Sequence, residues 1–239
     1  MTHWTRWFDS MAHRTLYYAA LAQRAGCEAY GLDNELDHTV DQHAHWRRVI
    51  AAARSVYKGH LTAGHTHGVD FRGELKMHPD HWFRELDSLG SSFYSPLSDA
   101  PDATIGMMTG RIRPVVEYYR EVAALFGKPF YFAECGCCST AGATMKPYGW
   151  DNPGGYDGDE QANYLEAVLR AFWDEPWWAG LYWWKWEEQN DRPWLRDDPR
   201  GDKGFPIWGK PAAEVFRRWA EKERRSAWHE TDSGISSHR

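Results

Sequence analysis

Five short segments alternate with stretches of helical spacing, and this alternation restricts the fold more than any other feature of the chain. "AYGLD" (Ala29 to Asp33), "LTAG" (Leu61 to Gly64), "SSFYS" from Ser91, "FYFA" (Phe130 to Ala133) and "GLYWW" (Gly180 to Trp184) read as short strands. Ahead of the first, apolar side chains at Trp4, Phe8, Met11, Tyr18 and Ala22 recur near the helical period, and Gly26 follows as a stop. Trp46, Val49, Ile50, Ala53 and Tyr57 share one face of a second helix, closed by Gly59. Pro79 and Asp80 suit the opening of a short third helix, where a missing N–H costs nothing and a negative charge is favoured. Arg111 to Phe126, stopped by Gly127, and Asp159 to Trp173 supply two more, and a last helix starts near Pro211.

Strands that alternate with helices of this length pair in parallel through right-handed crossovers, which leaves an open doubly wound sheet or a (β/α)8 barrel. No glycine-rich phosphate loop follows the first strand, which weighs against a nucleotide-binding sheet. In a barrel the chemistry sits where strands end, and those positions hold Glu35, His65, Tyr94, Glu134 and Trp184. Paired glutamates at one rim suit acid/base work. Carboxyls ~5 to 5.5 Å apart would cleave a glycosidic bond with retention, and a wider gap would invert.

Composition narrows the partners. With 239 residues, 42% of them hydrophobic, the chain can build one large core, and a formal charge of −6 offers no basic patch for nucleic acid. No apolar run approaches the ~18 to 20 residues that span a bilayer, so no membrane partner is expected. The N-terminus lacks the apolar core and small-residue cleavage site of a secretory signal, which makes the cytoplasm the expected location. Fifteen tryptophans suit a surface that stacks sugar rings, although Trp also fills cores.

The cysteines and histidines are weighed as metal ligands and set aside. Cys135, Cys137 and Cys138 lie within four residues, whereas a closed zinc site takes four ligands in separated pairs, and Cys27 belongs at the opposite end of its strand. The Cys135 and Cys138 spacing follows a strand into a glycine-rich loop instead of opening a helix, so redox chemistry is not expected either. All four read as free thiols, the three clustered ones as small fillers open to oxidation. His43 and His45 diverge on a helix, and His65 and His67 read as cleft or loop groups. "WEEQNDRPWLRDD" lacks the regular acidic spacing of a calcium loop. No metal and no cofactor is expected.

"YGLDNELDHT", "WRRVIAAARSVYKGHLTAG", "LDSLGSSFYSPLSD", "KPFYFAECGCCS", "GLYWWKW" and "GKPAAEVFRRWA", in this order between Trp4 and Trp219, resemble glycoside hydrolase family 113. That is a β-mannanase family of (β/α)8 barrels with catalytic glutamates after strands 4 and 7. The resemblance implies that Glu35 is the general acid/base, that Asn34 holds the sugar 2-hydroxyl, and that Glu134 is the nucleophile. It makes Tyr94 the partner that orients this nucleophile and Trp184 the floor under the sugar; Trp186 of the same motif and His65, which stands at a strand end where Asn would be expected, are also expected to bind substrate. The expected activity is hydrolysis of β-1,4-linked mannan or manno-oligosaccharides by double displacement, with the acidic stretch after Trp186 beside the sugar. The alternative is a catalytically impaired fragment or a carbohydrate-binding relative of the same fold.

The resemblance begins at the helix before strand 4, so residues 1–224 are expected to form a partial barrel of about five βα units, strands 4 to 8, followed by a polar, frayed tail at 225–239. An open remnant exposes a parallel sheet edge, and the expected cover is either a homo-oligomeric partner or a missing N-terminal segment that precedes Met1.

Overall fold

A computed structural model of the chain describes residues 3–186 and 199–222. The expectations for the acidic stretch 187–198 and the tail 225–239 lie outside these residues. Five strands, β1 (Ala29–Asn34), β2 (His60–Thr66), β3 (Ser88–Phe93), β4 (Phe130–Cys135) and β5 (Trp178–Trp183), make one sheet in chain order. β1 pairs in parallel with β2, Ala29 opposite His60, and β2 in parallel with β3, Thr62 opposite Ser88. Helices α1 (His3–Ala25), α2 (His43–Val56), α3 (Phe71–Met77), α4 (Ile105–Phe126), α5 (Gly158–Phe172) and α6 (Pro211–Ala220) alternate with them. No helix among the described residues is long and apolar enough to cross a membrane.

Two local readings are corrected. The short helix is α3, whose start is capped by the Asp70 carboxylate accepting from the Gly73 N–H, 3.1 Å away. Pro79 and Asp80 precede only a 3-10 turn, Trp82–Glu85, because Trp82 and Phe83 must both turn into the core, where they are fully buried. α4 also begins six residues earlier than its apolar spacing suggested, with Pro114 inside it.

The chain divides into two compact units, Met1–Ser92 with Glu121–Ala133, and Phe93–Arg120 with Glu134–Arg239. In the first, two of the four tryptophans, Trp46 and Trp82, are core, while Trp4 and Trp7 on α1 are half-buried. Trp46 and Trp82 stack at 4.7 Å, and Phe8 meets Trp46 edge-on. The two indoles donate to the carbonyls of Thr39 at 3.0 Å and Val40 at 2.9 Å, which satisfies the one polar group each ring buries.

In the second unit, buried Glu160 on α5 accepts from the N–H groups of Gly142 and Thr144 and from the Thr144 hydroxyl, so one carboxylate ties down the loop after β4. Lys210 is buried as well, its ammonium donating to the Ser139 hydroxyl at 3.0 Å with the Asp202 carboxylate 3.6 Å away. Cys135, Cys137 and Cys138 lie in this interior. Burial raises all three thiols above their ordinary range, Cys138 to about 11. They are therefore unreactive fillers, against the expectation that oxidation would find them. Cys27 is the exposed one.

Candidate active site

Each residue read from the sequence as catalytic stands at the carboxyl end of a strand. In the first unit Asn34 closes β1 and Glu35 follows, exposed, with a left-handed backbone at φ 59°. A non-glycine residue there carries strain of the order of 1 to 2 kcal/mol, so other contacts must hold it. The Glu35 N–H donates to the Gly64 carbonyl at 2.9 Å. Two residues on, one Asp37 oxygen accepts from the Thr66 N–H at 3.0 Å, and the other accepts from the Thr66 hydroxyl. Glu35 is thus pinned to the end of β2 from both sides.

Gly64 makes this junction possible. A Cβ there would lie 2.5 Å from Asn34 Oδ1 and 2.9 Å from Ala133 Cβ, so any larger residue would displace the Asn34 side chain from its place against β2.

On either side of Glu35 in the chain, Asp33 and Asp37 interact with His65, a grouping that the sequence did not announce. Burial alone would raise the Asp37 pKa, but the neighbouring His65 imidazole and the hydrogen bonds from Thr66 outweigh it and hold the carboxyl at about 2. His65 Nδ1 stands 3.4 Å from Asp37 Oδ1. Asp33 is raised to about 6 by burial, partly offset by His65 and Arg14 and reinforced by Asp37. His65 itself, expected at the sugar, has no exposed surface and packs on Phe71, Trp82 and Phe83. Its place is under Asp37, where it supports the Glu35 turn and does not face solvent. His43 and His45 do diverge, His43 toward His78 and His81 and His45 stacked on Phe8.

In the second unit Glu134 is half-buried, one residue from the end of β4. Tyr94, just past β3 and 8% exposed, donates its hydroxyl to Glu134 Oε2 at 2.8 Å. A bond of this length fixes the carboxylate's direction. Trp184, half-buried after β5, donates its N–H to the Cys135 carbonyl at 2.8 Å. A Cβ on Gly136 would meet the Trp184 carbonyl oxygen at 2.2 Å and Phe205 at 3.2 Å, so glycine is required where these two segments cross. Phe205 closes the group, edge-on to the Tyr94 ring at 6.3 Å. Trp186 is 64% exposed.

Asp37 and Phe205 escaped the sequence reading. Asp37 looked like an ordinary loop acid, and Phe205 stands in a segment with no periodicity. Among the described residues, no group of three or more His, Cys, Asp or Glu is arranged to hold a metal ion.

The sequence profile of Glycoside Hydrolase Family 113 matches residues 1–210. Among solved structures, the GH113 β-mannanase AaManA from Alicyclobacillus acidocaldarius, in complex with ManMIm, is 34% identical with a TM-score of 0.73, over 91% of this chain and 63% of that one. A complex structure of a GH113 β-1,4-mannanase is 24% identical with a TM-score of 0.69, over 93% and 65%. The glycoside hydrolase family 5 mannosidase from Rhizomucor miehei shares the fold alone, at 12% identity and a TM-score of 0.52, over 80% and 49%. The chain spans less than two thirds of the length of each of these. No curated protein matches it. Five strands alternating with helices, together with these neighbours, make it an α/β protein of the TIM-barrel type.

Proposed function

The chain belongs to glycoside hydrolase family 113, and from that premise we propose that it hydrolyses β-1,4-linked mannan or manno-oligosaccharides with retention of configuration. Glu134 attacks the anomeric carbon while Glu35 gives its proton to the departing glycosidic oxygen, leaving a glycosyl ester on Glu134. Glu35, now ionised, takes a proton from water, and that water displaces Glu134 from the anomeric carbon. Asn34 holds the sugar 2-hydroxyl, Trp184 and Trp186 offer ring faces to the C–H side of the pyranose, and His65 acts through Asp37 on the turn that carries Glu35.

The observation that carries this reading is the Tyr94 bond to Glu134. A nucleophile must be aimed, and the Tyr94 hydroxyl on one carboxylate oxygen fixes the direction of Glu134. The exposed edge of β1, with Leu16, Tyr17 and Leu21 exposed on α1, calls for a cover from a second copy or from further βα units.

Hydrolysis of manno-oligosaccharides, with the first-formed anomer read by proton NMR, tests the proposal. Wild type is expected to release the β-anomer, and Glu134→Ala and Glu35→Gln to lose at least a thousandfold in rate. Equal rates for all three proteins would refute catalysis by this pair.

A further inference from the structure

Lys210, the N-cap residue of α6, carries a cation into the interior of the second unit, with 1% of its side chain exposed. A helix N-terminus favours negative charge, and a buried ammonium is costly unless polar groups surround it. A methionine of similar volume would avoid both penalties. What the lysine does that methionine cannot is gather oxygens from two segments, the loop after β4 and residues 202–204. Its ammonium donates to the Ser139 hydroxyl at 3.0 Å and to the Gly204 carbonyl at 3.3 Å, and stands 3.6 Å from Asp202 Oδ2. Buried Ser139 continues the network. Its hydroxyl donates to the Asp202 and Gly204 carbonyls, each at 3.3 Å, and its N–H to the Lys203 carbonyl at 3.1 Å. The other Asp202 oxygen accepts from the Gly204 N–H at 2.8 Å.

The next residue, Phe205, carries this order to the candidate nucleophile. Its carbonyl accepts from the Trp183 indole at 3.0 Å and from the Gln161 amide at 3.1 Å, and its buried ring is edge-on to Tyr94. The same ring closes on Gly136, two residues past Glu134, so tightly that a Cβ there would meet it at 3.2 Å. One ring thus backs both the tyrosine that holds Glu134 and the backbone just beyond that carboxylate.

We propose that Lys210 is a positioning residue for Glu134, acting through Phe205 and Tyr94. The ammonium fixes residues 202–204, these place the Phe205 ring, and the ring sets the line along which Tyr94 donates to Glu134 Oε2. The proposal rests on the hydrolase reading for its effect on rate, whereas the packing it invokes holds equally in a protein that cleaves nothing.

A double-mutant cycle tests it. Lys210→Met should fold, since apolar groups of similar volume commonly replace buried charges without loss of stability, and near-UV circular dichroism checks this. On mannohexaose it should lower kcat/KM roughly tenfold, the effect of a small misplacement at the reacting centre. In a Tyr94→Phe background it should cause no further loss, because the bond through which it acts is already gone. Equal losses in both backgrounds, or none in either, overturn the proposal and leave the hydrolase standing. A second readout needs no turnover. In protein isotopically labelled at tyrosine Cζ, the Tyr94 resonance is identified by its absence from Tyr94→Phe, and Lys210→Met should shift it. An unmoved resonance overturns the proposal whether or not the chain is a hydrolase. A shifted resonance, in a chain whose wild type cleaves no mannan, supports the positioning and refutes the hydrolase. Should Lys210→Met not fold, Ser139→Ala, which removes only the relaying hydroxyl, is read in the same two ways.

Discussion

His81 makes the stability of the first unit depend on pH in a way that one substitution should expose. Its side chain is fully buried, its Nδ1 accepts from the Phe83 N–H at 3.1 Å, and its Nε2 stands 3.6 Å from Glu74 Oε2. Burial, then His43, His78, His65 and Arg47, lower its pKa from 6.5 to about 3. A folded pKa below the unfolded one means that the unfolded chain binds the proton first. The neutral imidazole therefore contributes its full stability above pH 6.5, and that contribution is lost as pH falls from 6.5 toward 3. Each unit costs about 1.4 kcal/mol, so the drop from about pH 8 to about pH 5 removes roughly 2 kcal/mol. His81→Asn tests this, because its amide oxygen can take the place of Nδ1 at the Phe83 N–H while nothing titrates. The variant will be weaker at neutral pH for the volume it loses. Urea unfolding of both proteins at the two pH values should show wild type losing about 2 kcal/mol more than the variant. Equal losses would refute the argument, since carboxylates elsewhere titrate alike in both.

The same reasoning extends to the candidate site and the thiols. Tyr94→Phe removes only the hydroxyl that donates to Glu134. A hydrogen bond to a charged group is worth about 2 kcal/mol, so steady-state assays on mannohexaose should show roughly a 30-fold fall in kcat/KM with the fold unchanged. In the native protein an aromatic disulfide reagent should titrate one thiol, Cys27, and reach Cys135, Cys137 and Cys138 only after denaturant is added. Rapid reaction of a second thiol before unfolding would contradict the burial of the cluster.

The order of strands and helices was legible because the stops are local. Gly26 and Gly127 take the left-handed backbone that ends α1 and α4, at φ 69° and 75°, and this preference can be read without knowing any partner. Boundaries failed where a residue answers to something distant. Gly64 read as the end of a strand, yet β2 runs on through His65 and Thr66. Its missing side chain serves the approach of Asn34 from β1 and of Ala133 from β4, not a turn. Pro79 likewise read as a helix start, while the demand of Trp82 and Phe83 for the core allowed only a 3-10 turn.

The site divides along the same line. Glu35 and Glu134 could be placed at strand ends from the sequence because a strand end is a local property. What holds them could not. Asp37 reaches Thr66 across 29 positions, Tyr94 reaches Glu134 across 40, and Cys138 reaches Gly149 across 11 from inside a cluster that invited a metal reading. These contacts join side chains of unremarkable type at separations with no period, so nothing in the order of residues marks them. They decide what the glutamates can do. The Tyr94 hydroxyl fixes the direction of the Glu134 carboxylate, and Glu35 keeps a left-handed backbone only while the turn around it is pinned. Replacing either glutamate tests the reaction, whereas replacing Tyr94 tests whether the fold prepares for it.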